Sequence, residues 1–285
     1  MNQSLNNVYV DGIVNEIDLK EGTKDGKNYI AGRVTVYVEQ TVEDKRELEE
    51  IPIEAFAYEF TKAGKESSAY KQLKALMTDG VSISATGNAG SADRISVGGG
   101  SVSISQFAKD GVLYYSTKIR GSFFNKPSGT FSPRATFENV IVVRRIYDEI
   151  VDDVPTGRIF IDGVIVNYDK TVSVAKYVVE NPSAIQYINS NYNKGDTVKV
   201  SGAIRYAVEM VEKEPETVGF GTPEKHEFKK TRKELVILSG SAGALDGESA
   251  YDVDEIAVGI RRMEAEGDKK LAESKTGAKE DIRGF

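Results

Sequence analysis

The stretch from Tyr114 to Arg134, YYSTKIRGSFFNKPSGTFSPR, interleaves aromatic and basic side chains without one acidic residue. Flat rings stack on nucleobases and cations neutralise phosphates, so this mixture suits an unpaired polynucleotide better than any covalent reaction. If Val112 to Phe124 forms one strand, its alternation puts Tyr114, Lys118, Arg120 and Phe124 on one face and Leu113, Tyr115, Ile119 and Phe123 on the other. A turn at Asn125–Gly129 then presents Lys126, and Phe131 and Arg134 follow. A second set lies on Tyr29 to Val38, where Ile30, Val34, Val36 and Val38 form an apolar side and Tyr29, Arg33, Thr35 and Tyr37 an opposite, wetted one. A third, thinner set comprises Lys199 and Arg205 on one face of Thr197 to Tyr206, with Lys229, Lys230 and Arg232 leading into the next strand.

Covalent and metal chemistry have little to work with. The chain has no Cys and a single His, His226, which leaves no thiolate nucleophile, disulfide, Cys-ligated zinc or multi-His site. Asp252, Asp254 and Glu255 stand at a helix start, where acidic residues favour the dipole without any metal. Gly98-Gly99-Gly100 has no Lys-Ser/Thr after it and is not a phosphate-binding loop. A binding protein with no cofactor and no metal is therefore expected, not an enzyme. No apolar run approaches the ~18 residues of a membrane span, and the polar start MNQSLNN is unlike a signal peptide, so a cytoplasmic location is expected.

The net charge of −7 argues against an anionic partner only if it is spread evenly, and it is not. From Ser241 onward there are 11 acidic and 7 basic residues, whereas Val112 to Arg145 holds six basic residues against Glu138 alone.

The elements that must position these residues are mostly strands. VYVDGIVNEID at Val8–Asp18 returns as IFIDGVIVNYD at Ile159–Asp169, which suggests an internal duplication. Each half also holds one amphipathic helix. Ser67 or Ser68 can cap the first, which carries Ala69, Tyr70, Leu73, Leu76 and Met77, and Asn181-Pro182 starts the second, with Ile185, Ile188 and Tyr192. Five strands are legible in the first half and four in the second. The fold expected is mainly β: two tandem OB-like β-barrels, each with one helix, and a flexible acidic C-terminal tail. The first domain is drawn at residues 1–148 with a Gly/Ser-rich hairpin inserted near Ser96–Ser105, and the second at 157–240. An acidic linker, Tyr147–Gly157, lies between them, and 241–285 holds a linker, a short helix and a disordered end.

With those features in place, the sequence resembles bacteriophage single-stranded DNA-binding proteins built from tandem OB folds. The resemblance implies sequence-tolerant binding that protects single-stranded DNA during phage DNA replication or recombination. Its end, KEDIRGF, looks like the acidic tip of bacterial single-stranded DNA-binding proteins, which implies that Asp281, Ile282 and Phe285 dock replication or recombination proteins. Two other readings fit a β-rich, Cys-free chain: a phage tail or baseplate component, and a carboxylate- and metal-dependent nuclease.

Overall fold

The computed structural model describes residues 1–213 and 226–280, with the backbone alone for 207–213, 226–232 and 276–280. Eleven strands among the described residues form one continuous sheet. In chain order they are β1 (Asn6–Lys24), β2 (Lys27–Val42), β3 (Lys45–Tyr58), β4 (Arg94–Lys109), β5 (Val112–Gly121), β6 (Phe123–Asn125), β7 (Arg134–Val151), β8 (Val154–Val166), β9 (Val172–Val179), β10 (Thr197–Lys213) and β11 (His226–Gly240). The helices are α1 (Ser68–Asp79), α2 (Ile83–Thr86), α3 (Pro182–Asn191) and α4 (Val253–Glu280). None of them is long and apolar enough to cross a membrane.

The pairings run in two cycles. β1 bonds β2, β2 bonds β3, β3 bonds β5 in parallel, β5 bonds β4, and β4 returns to β1. In the same pattern β7 bonds β8, β8 bonds β9, β9 bonds β11 in parallel, β11 bonds β10, and β10 returns to β7. Each cycle has its helix, α1 or α3, between the third and fourth strands. β7 also ladders with β1, from Asn6↔Asn139 to Asp11↔Arg134, and so ties one cycle to the other.

Local sequence explains much of this. In β2 Ile30, Val34, Val36 and Val38 are buried while the residues between them reach solvent, as the alternation requires. The Ser67 side chain accepts from Tyr70 N–H to cap α1, and Asn181 accepts from Ser183 and Ala184 N–H to start α3 behind its first-turn proline. Asp25-Gly26 and Asp110-Gly111 close hairpins with both residues at positive φ, a turn whose twist matches the flanking strands.

Several expectations are corrected. The missing fifth strand of the second cycle is β7, which the sequence reading had given to the first half, and a boundary at 148 would cut it. Tyr147–Gly157 is not a linker but the end of β7, a tight turn at Asp152-Asp153 and the start of β8. Ser96–Ser105 lies inside β4, not at a hairpin tip, and Gly100 sits where a side chain would strike the backbone of Val8. The repeated Asp-Gly motif falls on the first strand of one cycle but the second strand of the other, so it does not mark equivalent positions. α4 is 28 residues long, running through the stretch expected to be a short helix and a disordered end.

The two cycles share one apolar core, including Val36, Ile53, Phe137, Ile141 and Tyr177. Gly163 of β8 packs where an added Cβ would lie 2.6 Å from Ile141 Cδ1 and 2.9 Å from Tyr177 Cε2. Gly163→Ala is expected to lower the unfolding free energy by about 1–3 kcal/mol through overpacking. Urea denaturation measures it, and an unchanged midpoint would contradict this packing.

Candidate nucleic-acid interface

A depression of about 630 Å³ lies between β5 of the first cycle and the outer face of β7, β8 and β9. Alternation turns Ile159 and Ile161 of β8 into the core and Phe160 and Asp162 outward. Further along that outer face, Val164 and Val166 are covered by Ile256 of α4. α4 therefore seals half of the face and leaves the other half open, with Met263 at the wall.

The rings reaching this depression are Tyr114 and Tyr115 from β5, Tyr147 from β7 and Phe160 from β8. Tyr147 and Phe160 lie 5.5 Å apart between centroids at 51°, and Tyr114 stacks on Phe107 at 5.4 Å. The cations are Arg144, Arg145, Lys176 and Lys233. The Arg145 guanidinium sits 4.0 Å above the Tyr147 ring, and Lys176 Nζ 4.7 Å above Phe160. Asp162 accepts from Arg145 Nη2 at 2.9 Å and from the Tyr147 hydroxyl at 3.2 Å, so the carboxylate holds both groups in place. That hydrogen bond also raises the guanidinium pKa, so Arg145 is cationic at any working pH.

Thr117 and Lys233 also line a second, smaller depression of about 380 Å³, whose walls carry Arg33, Lys118 and Tyr206 together with Glu16, Glu50 and Glu54. The two depressions thus adjoin at these residues, and together they make a trough from the β2–β3 face of the first cycle to the β8–β9 face of the second. Lys233 stands 5.3 Å over the Tyr206 ring at the crossing.

The residues picked from sequence divide among several places. Tyr114, Lys118 and Arg33 line the trough. Tyr29 and Tyr37 share the β2 face with Arg33, but their cross-strand partners are Tyr58 and Glu50, and Arg33 faces Glu54. Glu54 in turn binds Lys118 at 2.5 Å, which makes this end of the trough charge-balanced instead of basic. Tyr29 belongs to an exposed aromatic cluster, stacked on Phe56 at 5.4 Å with Tyr58 edge-on. Arg120 is exposed on β5 but lines neither depression.

Phe124 is not a binding residue, because it is buried and its neighbour Phe123 is exposed. The strand ends at Gly121, and β6 pairs with β4 after a break at Ser122, which reverses the expected faces. Arg205 is corrected too: it is largely buried, with Nε 2.8 Å from Glu47 and Nη1 2.6 Å from Glu180. Lys126 pairs with Asp93 at 2.8 Å, Arg134 with Asp11 at 2.5 Å, and Phe131 lies under Arg94, all away from the trough. Lys199 is ion-paired with Glu138. Lys229, Lys230 and Arg232 sit in β11 with side chains outside the described residues, as do Asp281, Ile282 and Phe285 entirely.

Sequence reasoning missed Tyr147, Phe160 and Lys176, put Tyr115 on the face opposite Tyr114, and read Lys233 only as part of the basic stretch before the last strand. The alternation of Phe160 against Ile159 and Ile161, and of Lys176 against Tyr177, was there to be read. Tyr147 was hidden inside the presumed linker. Among the described residues no group of three or more His, Asp or Glu is placed to hold a metal ion.

Beside the trough, Glu49 of β3 is 2% exposed and accepts the backbone N–H of Tyr206 on β10. Burial pushes its carboxyl up from 4.5 to about 7, against the opposing pull of that hydrogen bond. The folded chain thus binds a proton that the unfolded chain releases between pH 4.5 and about 7, and the associated stability is lost as pH rises through that window. Glu49→Gln should gain stability relative to the parent at pH 8 compared with pH 4.5, by on the order of 2 kcal/mol. Denaturation at both pH values reads this difference, and parallel profiles would contradict it.

Comparison with known proteins agrees with the fold. A family model described as YorF matches residues 4–277. No curated protein sequence matches the chain. Among solved structures, the wild-type single-stranded DNA binding protein from Thermus aquaticus is similar with a TM-score of 0.54 at 13% identity, over 88% of this chain and 98% of that one. A deletion mutant of the same protein is similar with a TM-score of 0.53 at 12% identity, over 87% and 98%. At such identities the likeness is one of fold.

Proposed function

We propose that this chain, which belongs to the YorF family, binds single-stranded DNA with little sequence preference and acts by binding, without catalysis. The observation that carries the reading is the depression in which four exposed or half-exposed rings stand among Arg144, Arg145, Lys176 and Lys233. A strand laid there stacks bases on Tyr114, Tyr147 and Phe160 while the cations neutralise its phosphates. Ring faces and point charges accept any base, which accounts for sequence tolerance. A duplex hides its bases from the rings and gains only the charge contacts.

The two strand cycles fit this reading as tandem OB-like units, the second beginning at β7, since an OB barrel binds through the face of its second and third strands. That face is β8–β9 in the second cycle and β2–β3 in the first, and the trough runs over both. The likeness to a Thermus aquaticus protein that binds single-stranded DNA supports the same assignment. The narrower role, protection of single strands in phage DNA replication or recombination, rests on the sequence resemblance, as does docking of partner proteins by Asp281, Ile282 and Phe285.

Fluorescence anisotropy with labelled oligo-dT and a matching duplex, at two salt concentrations, tests the proposal. The single strand should bind about tenfold or more tightly than the duplex, with affinity falling as salt rises. Tyr114→Ala combined with Tyr147→Ala should cost about 1–3 kcal/mol per lost stacking contact while leaving the unfolding midpoint in place. Equal affinity for both DNAs, salt-independent binding, or an indifferent double variant would contradict it.

A further inference from the structure

We infer that a bound strand continues out of the trough alongside α4, where Lys194 and Arg261 hold its phosphates together with Arg144 and Arg145. The inference rests on the binding reading above and extends it to a site with a different chemistry.

A further depression of about 610 Å³ shares Arg144, Arg145 and Asp162 with the main one, so the two communicate. Its other walls are Lys194, which follows α3, and Ala257, Ile260 and Arg261 of α4. Helical spacing puts Ala257, Arg261 and Glu264 on one flank of α4. Four cations meet here. Asp162 is occupied by Arg145 and Tyr147, and Glu264 pairs with Arg144 at 2.8 Å. Lys194 and Arg261 are exposed and have no carboxylate partner among the described residues. Cations gathered without counter-charge repel one another, and a phosphodiester removes that repulsion. Among the described residues no aromatic ring lines this depression, so it suits backbone and sugar, not stacked bases.

The opposite flank of α4 offers the alternative exit, and its charges argue against it. There Lys170, Arg262, Lys270 and the Met1 ammonium face Asp169, Glu255 and Glu266, and Glu255 pairs with that ammonium at 3.1 Å. That flank carries one net positive charge, against two on the Lys194 side when Asp162 and Glu264 are counted, so a polyanion gains less from it. The Lys194 side keeps two unmatched cations and can free a third when phosphate displaces Glu264 from Arg144.

The test compares the full chain with its Lys194→Ala, Arg261→Ala double variant, using oligo-dT of about 8 and about 30 nucleotides across a salt series. Both residues are exposed, and a thermal melt checks that the variant folds as the parent does. For the long oligomer the variant should bind about fivefold more weakly, with the slope of log affinity against log salt reduced by about 1.4, or 0.7 for each of two phosphates. The short oligomer, which can settle on the ring-bearing trough without reaching Lys194 and Arg261, should bind both proteins alike. Unchanged affinity and slope for the long oligomer would overturn the exit path while leaving the binding reading intact, as would an equal loss for both lengths. Failure of the unsubstituted chain to bind either oligomer would overturn both.

Discussion

The ladder between β1 and β7 is the constraint from which the rest of the architecture follows. Asn6 to Asp11 pair with Arg134 to Asn139, and the next residues of β7 pass to β8 on the same edge while β10 bonds the other. A strand has two edges, and β7 uses both, spending one of them on each cycle in turn. The two cycles are therefore joined by backbone hydrogen bonds and not by a tether. Gln40 strengthens the joint by bridging Ala135 N–H and Ile204 C=O from a buried position. The β2–β3 face and the β8–β9 face are held in fixed relation by this joint, and only then can Thr117 and Lys233 make two depressions continuous.

Charge on this acidic chain is organised by pairing. Beside the trough, which Glu234 also lines, Arg158 and Arg205 are enclosed by Glu47, Glu149, Glu180 and Glu234 in a network between the cycles. Such buried pairs serve position more than stability, since desolvation offsets much of their attraction. In the trough the arrangement differs: Asp162 orients Arg145 and Tyr147, while Lys176 and Lys233 rest over rings. A cation over a ring keeps its charge available to an incoming phosphate. The net charge of −7 thus says little about the trough itself.

Those parts of the fold governed by local rules were legible in the sequence. The faces of β2 follow from alternation because one side is buried, and the caps at Ser67 and Asn181 follow from side-chain chemistry. What escaped depends on events that alternation does not encode. Whether Phe123 or Phe124 faces inward turns on where β5 stops, a matter of one residue at Ser122. Arg205 looked like a free cation because its partner Glu47 lies 158 positions away. Asp152-Asp153 reads as acidic linker, yet both residues take the left-handed conformation that Asp tolerates, and they close a hairpin. That hairpin carries Tyr147, so a misread turn concealed a candidate stacking residue. Of the aromatic-basic stretch, Tyr114, Tyr115 and Lys118 reach the trough, and the rings of Tyr147 and Phe160 come from strands of the other cycle.

The central claim is that a single strand lies across both cycles with its bases on these particular rings. Photo-crosslinking of a bromodeoxyuridine-substituted oligonucleotide to the full chain, with the attached peptides identified by mass spectrometry, tests it most directly. The account predicts attachment at Tyr114 or Tyr115 and at Tyr147 or Phe160 within one complex. Attachment confined to Phe131 or to the Tyr29, Phe56 and Tyr58 cluster, or found on one cycle alone, would contradict it.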